Sequence, residues 1–202
     1  GFEFWPEVSR DGKTIAYQSI RNPEQGNKLG DSFLFAQPLE SEGQKTQLAA
    51  RGINPTWSPD GSRLAFLRQS ADIWDLWTVS AASGDEKQLS NRAVFAAYSI
   101  LPYNRIGNWF YAWSPDASKI AFSSRATDES GMWVISVSDQ KEERIAGNLD
   151  QFLYCPLWLP DSSGIAYVSW SPESPSAEKW SIWLAEFNAN RFEAIFHGSS
   201  AM

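Results

Sequence analysis

Pro55-Thr-Trp-Ser-Pro-Asp-Gly-Ser-Arg-Leu-Ala-Phe66 reads as a strand, a tight turn and a second strand. In Ser58-Pro-Asp-Gly61, proline presets φ at the second position of a type I turn, aspartate caps backbone amides at the third, and glycine relaxes the fourth. The unit recurs as Pro6-Glu-Val-Ser-Arg-Asp-Gly-Lys-Thr-Ile-Ala-Tyr17, Tyr111-Ala-Trp-Ser-Pro-Asp-Ala-Ser-Lys-Ile-Ala-Phe122 and Pro156-Leu-Trp-Leu-Pro-Asp-Ser-Ser-Gly-Ile-Ala-Tyr167. The turn aspartates Asp11, Asp60, Asp116 and Asp161 set a period of 45 to 56 residues. Strand signals alone at such a period predict propeller blades or a β array, and make the turn aspartates structural rather than catalytic.

Each unit parses into four strands, in the second copy Pro55 to Ser58, Arg63 to Leu67, Leu76 to Ser80 and Lys87 to Leu89. Its second strand sets a small alanine between two large apolar residues, as in Leu64-Ala65-Phe66. Successive side chains point to opposite faces, so both faces are apolar, one bulky and one thin. That composition suits a sheet packed between two others. We therefore expect an all-β chain, a β-propeller of four four-stranded antiparallel blades at about 5–48, 53–89, 109–145 and 154–195, with an inter-blade insertion at 90–108. The four blades would close alone, form part of a larger ring or be completed by another chain. An uncapped blade face forfeits on the order of 10 kcal/mol of burial, which predicts closure or self-association.

Trp-Ser-Pro-Asp-Gly followed by Leu/Ile-Ala-Phe resembles the WD40-like repeat of TolB-type β-propellers, also found in the propeller domain of prolyl oligopeptidases. The resemblance spans about residues 5 to 195. Val8 and Arg10 depart from it in the first copy, Ala117 in the third, and Leu159 and Ser162 in the fourth. It implies a noncatalytic scaffold binding a protein or peptide, similar to TolB or to the sensory propeller of membrane-bound bacterial transcriptional regulators, in a periplasmic or otherwise extracytoplasmic setting. The alternative it implies is the gating propeller of a prolyl oligopeptidase-type serine peptidase. Either way, we expect one domain of a longer protein.

Composition narrows the remaining classes. The 202 residues are 43% hydrophobic and carry a formal charge of −7, with no basic stripe to meet a phosphate backbone. No apolar run reaches the length that spans a bilayer. One histidine, His197, and one cysteine, Cys155, cannot assemble a typical zinc site or supply a nucleophile with its base. Cys155, in Leu153-Tyr-Cys-Pro156, reads as a small buried apolar residue. Neither metal nor cofactor is expected. The carboxylates Asp72 with Asp75, and Asp128 with Glu129, are the pairs a propeller lyase or glycosidase would need, and nothing sets them apart from surface charge.

Length variation is confined to the links after the second and fourth strands: Ser19 to Gly30, Gln69 to Asp75, Ser90 to Asn108, Arg125 to Gly131 and Ser171 to Lys179. These share one rim, where loops on a rigid scaffold carry binding. Of 11 tryptophans, Trp57, Trp113, Trp158, Trp77, Trp133 and Trp183 fill repeat slots. Trp5, Trp74, Trp109, Trp170 and Trp180 fall on the variable rim, and with Tyr103 and Arg105 they are the expected partner-binding residues. Arg21, Arg68, Arg92 and Arg125 lie at or near the same rim and read mainly as solvated charges.

Overall fold

The computed structural model describes residues 2–20, 32–40, 44–70, 73–92, 94, 110–124, 130–147, 152–171, 180–187 and 191–198. Among them are sixteen strands and no helix. They form four antiparallel sheets of four strands, each paired in chain order. Blade 1 holds β1 (Phe2–Val8), β2 (Thr14–Ile20), β3 (Ser32–Pro38) and β4 (Thr46–Ala50). Blade 2 holds β5 (Gly52–Trp57), β6 (Arg63–Ser70), β7 (Ile73–Ser80) and β8 (Glu86–Ser90). Blade 3 holds β9 (Tyr111–Trp113), β10 (Lys119–Ser124), β11 (Gly131–Ser136) and β12 (Glu142–Ala146). Blade 4 holds β13 (Phe152–Trp158), β14 (Gly164–Trp170), β15 (Trp180–Glu186) and β16 (Arg191–Gly198). Contacts divide the chain into two units, residues 1–92 with blades 1 and 2, and residues 93–202 with blades 3 and 4.

The turn reading holds in atomic detail. The Gly61 amide closes the turn on the Ser58 carbonyl at 2.9 Å. The Asp60 carboxylate accepts from the Ser58 hydroxyl at 2.6 Å and the Ser62 amide at 3.1 Å. Partial burial pushes the Asp60 carboxyl up, but these hydrogen bonds outweigh it and hold it below the usual carboxylate range. The fourth turn position is left-handed in every copy: Gly12 at φ 73°, Gly61 at 71°, Ala117 at 59° and Ser162 at 62°. Blades 3 and 4 thus carry side chains where glycine is unstrained.

Bulges recur as regularly as turns. The β1–β2, β5–β6 and β13–β14 registers slip at Phe4/Glu7, Ile53/Thr56 and Tyr154/Leu157. Within each slip one residue adopts positive φ, namely Trp5, Asn54 and Cys155, and each precedes a proline that disfavours helical backbone before it. A second slip sits beside an aromatic of the third strand in all four blades, at Phe35, Trp77, Trp133 and Trp183. Such bulges bend and twist a sheet at a fixed place.

Within each unit a thin face meets a bulky one. The blade 1 face that meets blade 2, here the onward face, brings Ala16, Leu34, Ala36 and Ala49 against Trp57, Leu64, Phe66, Val79 and the partly buried Trp77. Blade 3 likewise brings Ala121, Met132 and Val134 against Leu153, Trp158, Ile165 and Tyr167 of blade 4. Both seams carry the same clasp. The Trp57 indole N–H donates to the Glu7 carbonyl at 3.2 Å, and the Trp158 indole N–H to the Ala112 carbonyl at 2.9 Å. The repeat tryptophan of the first strand therefore joins its blade to the preceding one, which is a use for its polar edge beyond filling space.

Candidate functional site

Of the four described rim tryptophans, Trp170 and Trp180 come together at one end of blade 4. Phe152, Trp170 and Trp180 stand opposite one another across β13, β14 and β15. Their rings make a continuous row, with centroids 5.0 Å apart for Phe152–Trp170 and 5.8 Å for Trp170–Trp180. Tyr154 meets Trp180 edge-on at 5.9 Å. Trp180 stays 41% exposed, whereas burial pushes the Tyr154 hydroxyl above its ordinary value. Rings in tilted and edge contact hold one another in place, so the row offers rigid aromatic surface at low entropic cost.

The other predicted rim residues part company with this row. Trp5 is half-buried at the β1 bulge, 6.2 Å from Phe4. Trp74 lies within β7 and is 8% exposed, because β6 and β7 continue pairing to Gln69–Trp74 and Ser70–Ile73. The link expected over Gln69 to Asp75 is thus mostly strand. Trp109, Tyr103, Arg105, Arg21 and Arg125 lie outside the described residues, as do Asp72, Asp128 and Glu129.

Two residues read as surface charge are internal. The Arg68 guanidinium donates to Glu86 at 2.7 Å and to the Ala50 carbonyl of blade 1 at 2.8 Å, and lies 4.4 Å above the Trp77 ring. It works as a seam residue. Asp75 is 2% exposed and accepts from Gln88 Nε2 at 3.1 Å. Cys155 is half-buried rather than buried, and burial pushes its thiol up to about 11, a poor setting for a nucleophile. The backbone of His197 is in β16, opposite Ser181. Among the described residues no group of three or more His, Cys, Asp and Glu is arranged to hold a metal ion.

Sequence reading missed Glu7. Its carboxylate sits in the seam of the first unit and accepts from the Trp57 backbone amide at 3.3 Å. Burial raises its pKa to about 7, against smaller lowering by its hydrogen bonds. The signal was a carboxylate in a strand slot that holds Thr56, Ala112 and Leu157 in the other copies. On the short-turn side of the same seam is a cavity of about 340 Å³ lined by Ser9, Asp11, Thr14, Gln37, Thr46 and Trp57. Asp11 is spoken for there: the Ser9 hydroxyl and the Lys13 amide, donating to it, hold it below the usual carboxylate range.

Four-stranded antiparallel sheets in this order have counterparts among solved structures. The blades are β-propeller blades. A structure of putative TolB from Agrobacterium tumefaciens superposes with a TM-score of 0.66 at 19% identity, over 98% of this chain and 68% of that one. A structure of puromycin hydrolase superposes with a TM-score of 0.70 at 16% identity, over 100% of this chain and 30% of that one. Among curated sequences, an uncharacterised protein of Agrobacterium fabrum is 24% identical over 179 residues, 84% of this chain and 55% of the relative. An uncharacterised peptidase of Bacillus subtilis is 27% identical over 117 residues, 57% of this chain and 16% of the relative. The chain thus spans about half the first relative and a small part of the second. No family model matches the sequence.

Proposed function

We propose that this chain is a noncatalytic propeller scaffold that binds a protein or peptide partner, in the manner suggested by its resemblance to TolB-type propellers. The observation that carries the reading is the aromatic row Phe152–Trp170–Trp180, partly exposed at the rim where link length varies. Exposed, mutually buttressed tryptophans are the residue type most often found as interface anchors. Catalysis by this chain alone is disfavoured by what surrounds its candidate groups: a thiol raised by burial, a seam carboxylate closed over by Trp57, and turn aspartates occupied by their own turns. We place the chain outside the cytoplasm, as the same resemblance suggests.

Selection of peptides from a random displayed library tests this directly. Peptides enriched on the wild type should bind Trp170→Ala and Trp180→Ala at least about tenfold more weakly. No enrichment, or affinities untouched by either substitution, overturns the reading. A second reading, a propeller attached to a serine peptidase, is favoured by the superposition of the whole of this chain on 30% of puromycin hydrolase. An α/β-hydrolase domain encoded in the same reading frame would decide for it.

A further inference from the structure

We propose that the cavity between blades 1 and 2 binds an aromatic ring carrying an ammonium group, that is, a small aralkyl amine. The site is separate from the aromatic row and stands without the reading given to it. At about 340 Å³ the cavity reaches the size at which small-molecule pockets begin. Its floor is apolar: Ala36, Leu48 and Trp57 line it and are at most 9% exposed. Asp11 and Asp60, both exposed, give it an acidic edge. Trp57 spends its indole N–H on the Glu7 carbonyl, so it offers a ligand only ring surface.

The other unit shows what such a place holds. The Ala81 amide donates to the Ser62 carbonyl and the Phe187 amide to the Ser163 carbonyl, each at 2.9 Å, so the two residues share one slot. Phe187 meets Trp158, the counterpart of Trp57, in edge contact with ring centroids 5.7 Å apart. The Lys119 ammonium lies 5.8 Å from the centre of the Phe187 ring, within the range of a cation–π contact. Partial burial pushes the Asp116 carboxyl up, and hydrogen bonds from Ser114 and Ser118 together with the Lys119 charge outweigh it. The seam of blades 3 and 4 is therefore filled by a ring and an ammonium of the chain's own, the ammonium within the field of a turn aspartate.

The seam of blades 1 and 2 lacks both groups. Ala81 stands in the slot of Phe187 and packs on the core of its unit. Thr14, which lines the cavity, stands in the slot of Lys119. A third difference opens the edge: the Ser162 hydroxyl accepts from the Asp116 amide across its seam at 3.3 Å, whereas the same turn position here is Gly61. The aspartate itself is kept. Asp11 takes the Ser9 hydroxyl and the Lys13 amide on Oδ1, at 2.6 and 3.0 Å, and its Oδ2 receives no hydrogen bond from a described residue. A ligand that restores a ring on Trp57 and an ammonium beside Asp11 Oδ2 therefore completes the pattern of the other seam. Arg10 and Lys13, on the same turn, are exposed, where water weakens their repulsion of a cation.

Titration of the full chain with 2-phenylethylammonium, followed by amide and indole NMR shifts, tests the site. The Trp57 indole and the amides of Gly61 and Ala81 should shift saturably, with a dissociation constant on the order of 1 mM for a ligand of so few atoms. 2-Phenylethanol, which lacks the charge, and n-butylammonium, which lacks the ring, should each bind at least about tenfold more weakly. Ala81→Phe, which copies Phe187 into the gap, should abolish the shifts and raise the midpoint of thermal unfolding. Asp11→Asn keeps an acceptor for Ser9 and Lys13, and should weaken the amine at least about fivefold while leaving 2-phenylethanol untouched. No saturable shift of these signals up to about 20 mM, equal affinity for the three compounds, or a wild-type response in folded Ala81→Phe overturns the inference. If circular dichroism shows Ala81→Phe unfolded, Asp11→Asn and the two analogues still decide it. Peptide binding through Trp180 is independent of each outcome.

Discussion

Blade 1 and blade 4 are built on one register, yet their onward faces carry opposite chemistry. In blade 1, Ala16, Gln18, Ser32, Leu34 and Ala49 are all nearly inaccessible beneath blade 2. The same slots in blade 4 hold Ala166, Val168, Trp180, Ile182 and Phe196, of which the last three are exposed. A thin face with scattered polar groups is what a permanently received sheet needs, because alanines make room for the neighbour's Phe66 and Trp77 and the polar groups fix its register. The blade 4 face instead carries bulky apolar side chains in those slots.

The sharpest break would come from one slot truncated in both blades. Leu34 is fully buried and Ile182 is 36% exposed. Leu34→Ala should cost about 2–5 kcal/mol through cavity formation, while Ile182→Ala should cost under about 1 kcal/mol. Urea unfolding at low protein concentration measures both. Equal losses would mean that the blade 4 face is covered by the chain's own residues, and the contrast would fall.

Glu7 offers a second break, because its slot in blade 4 holds Leu157. The folded chain keeps the Glu7 proton up to about pH 7, whereas the free side chain releases it near 4.5. Folding takes up a proton between these values, so this contribution is complete below pH 4.5 and is lost as pH rises through 7. The fall should total roughly 3 kcal/mol at most. Glu7→Leu, which installs the blade 4 residue, should flatten that slope in urea unfolding from pH 5 to 8. An unchanged slope would assign the titration to another group.

What the sequence disclosed and what it hid follow from range. The turn at Ser58-Pro-Asp-Gly61 and the Leu64-Ala65-Phe66 alternation are local, and local steric preference settles both. Arg68 and Asp75 were misread because their burial comes from β4 and β8, far along the chain, which no window of neighbours contains. Trp74 reads from sequence as a rim loop residue because polar Gln69, Ser70 and Asp72 mask the β6–β7 pairing that runs on to Ser70–Ile73. The row at Trp170 and Trp180 was half legible: both tryptophans were placed on one rim, but their union with Phe152 and Tyr154 needed the register. The bulk of the blade 4 face lay in plain view, in the replacement of Glu7, Gln18 and Ala36 by Leu157, Val168 and Leu184 between aligned copies. Reading it required knowing which alternate residues share a side after the bulge.

The smallest expected effect bears on the clasp that the received faces share. Trp57→Phe and Trp158→Phe keep most of the ring and remove only the indole N–H from the Glu7 and Ala112 carbonyls. A neutral hydrogen bond nets about 1 kcal/mol, more when the abandoned acceptor stays out of water. The 2.9 Å bond of Trp158 is shorter than the 3.2 Å bond of Trp57, so Trp158→Phe should be the costlier of the two. The blade 1 counterpart of these tryptophans is Val8, which is 48% exposed, and Val8→Ala should change stability by less than about 0.5 kcal/mol. If Trp158→Phe proves as silent as Val8→Ala in urea unfolding, then packing alone joins the blades. The contrast between the two onward faces would then rest on their bulk alone.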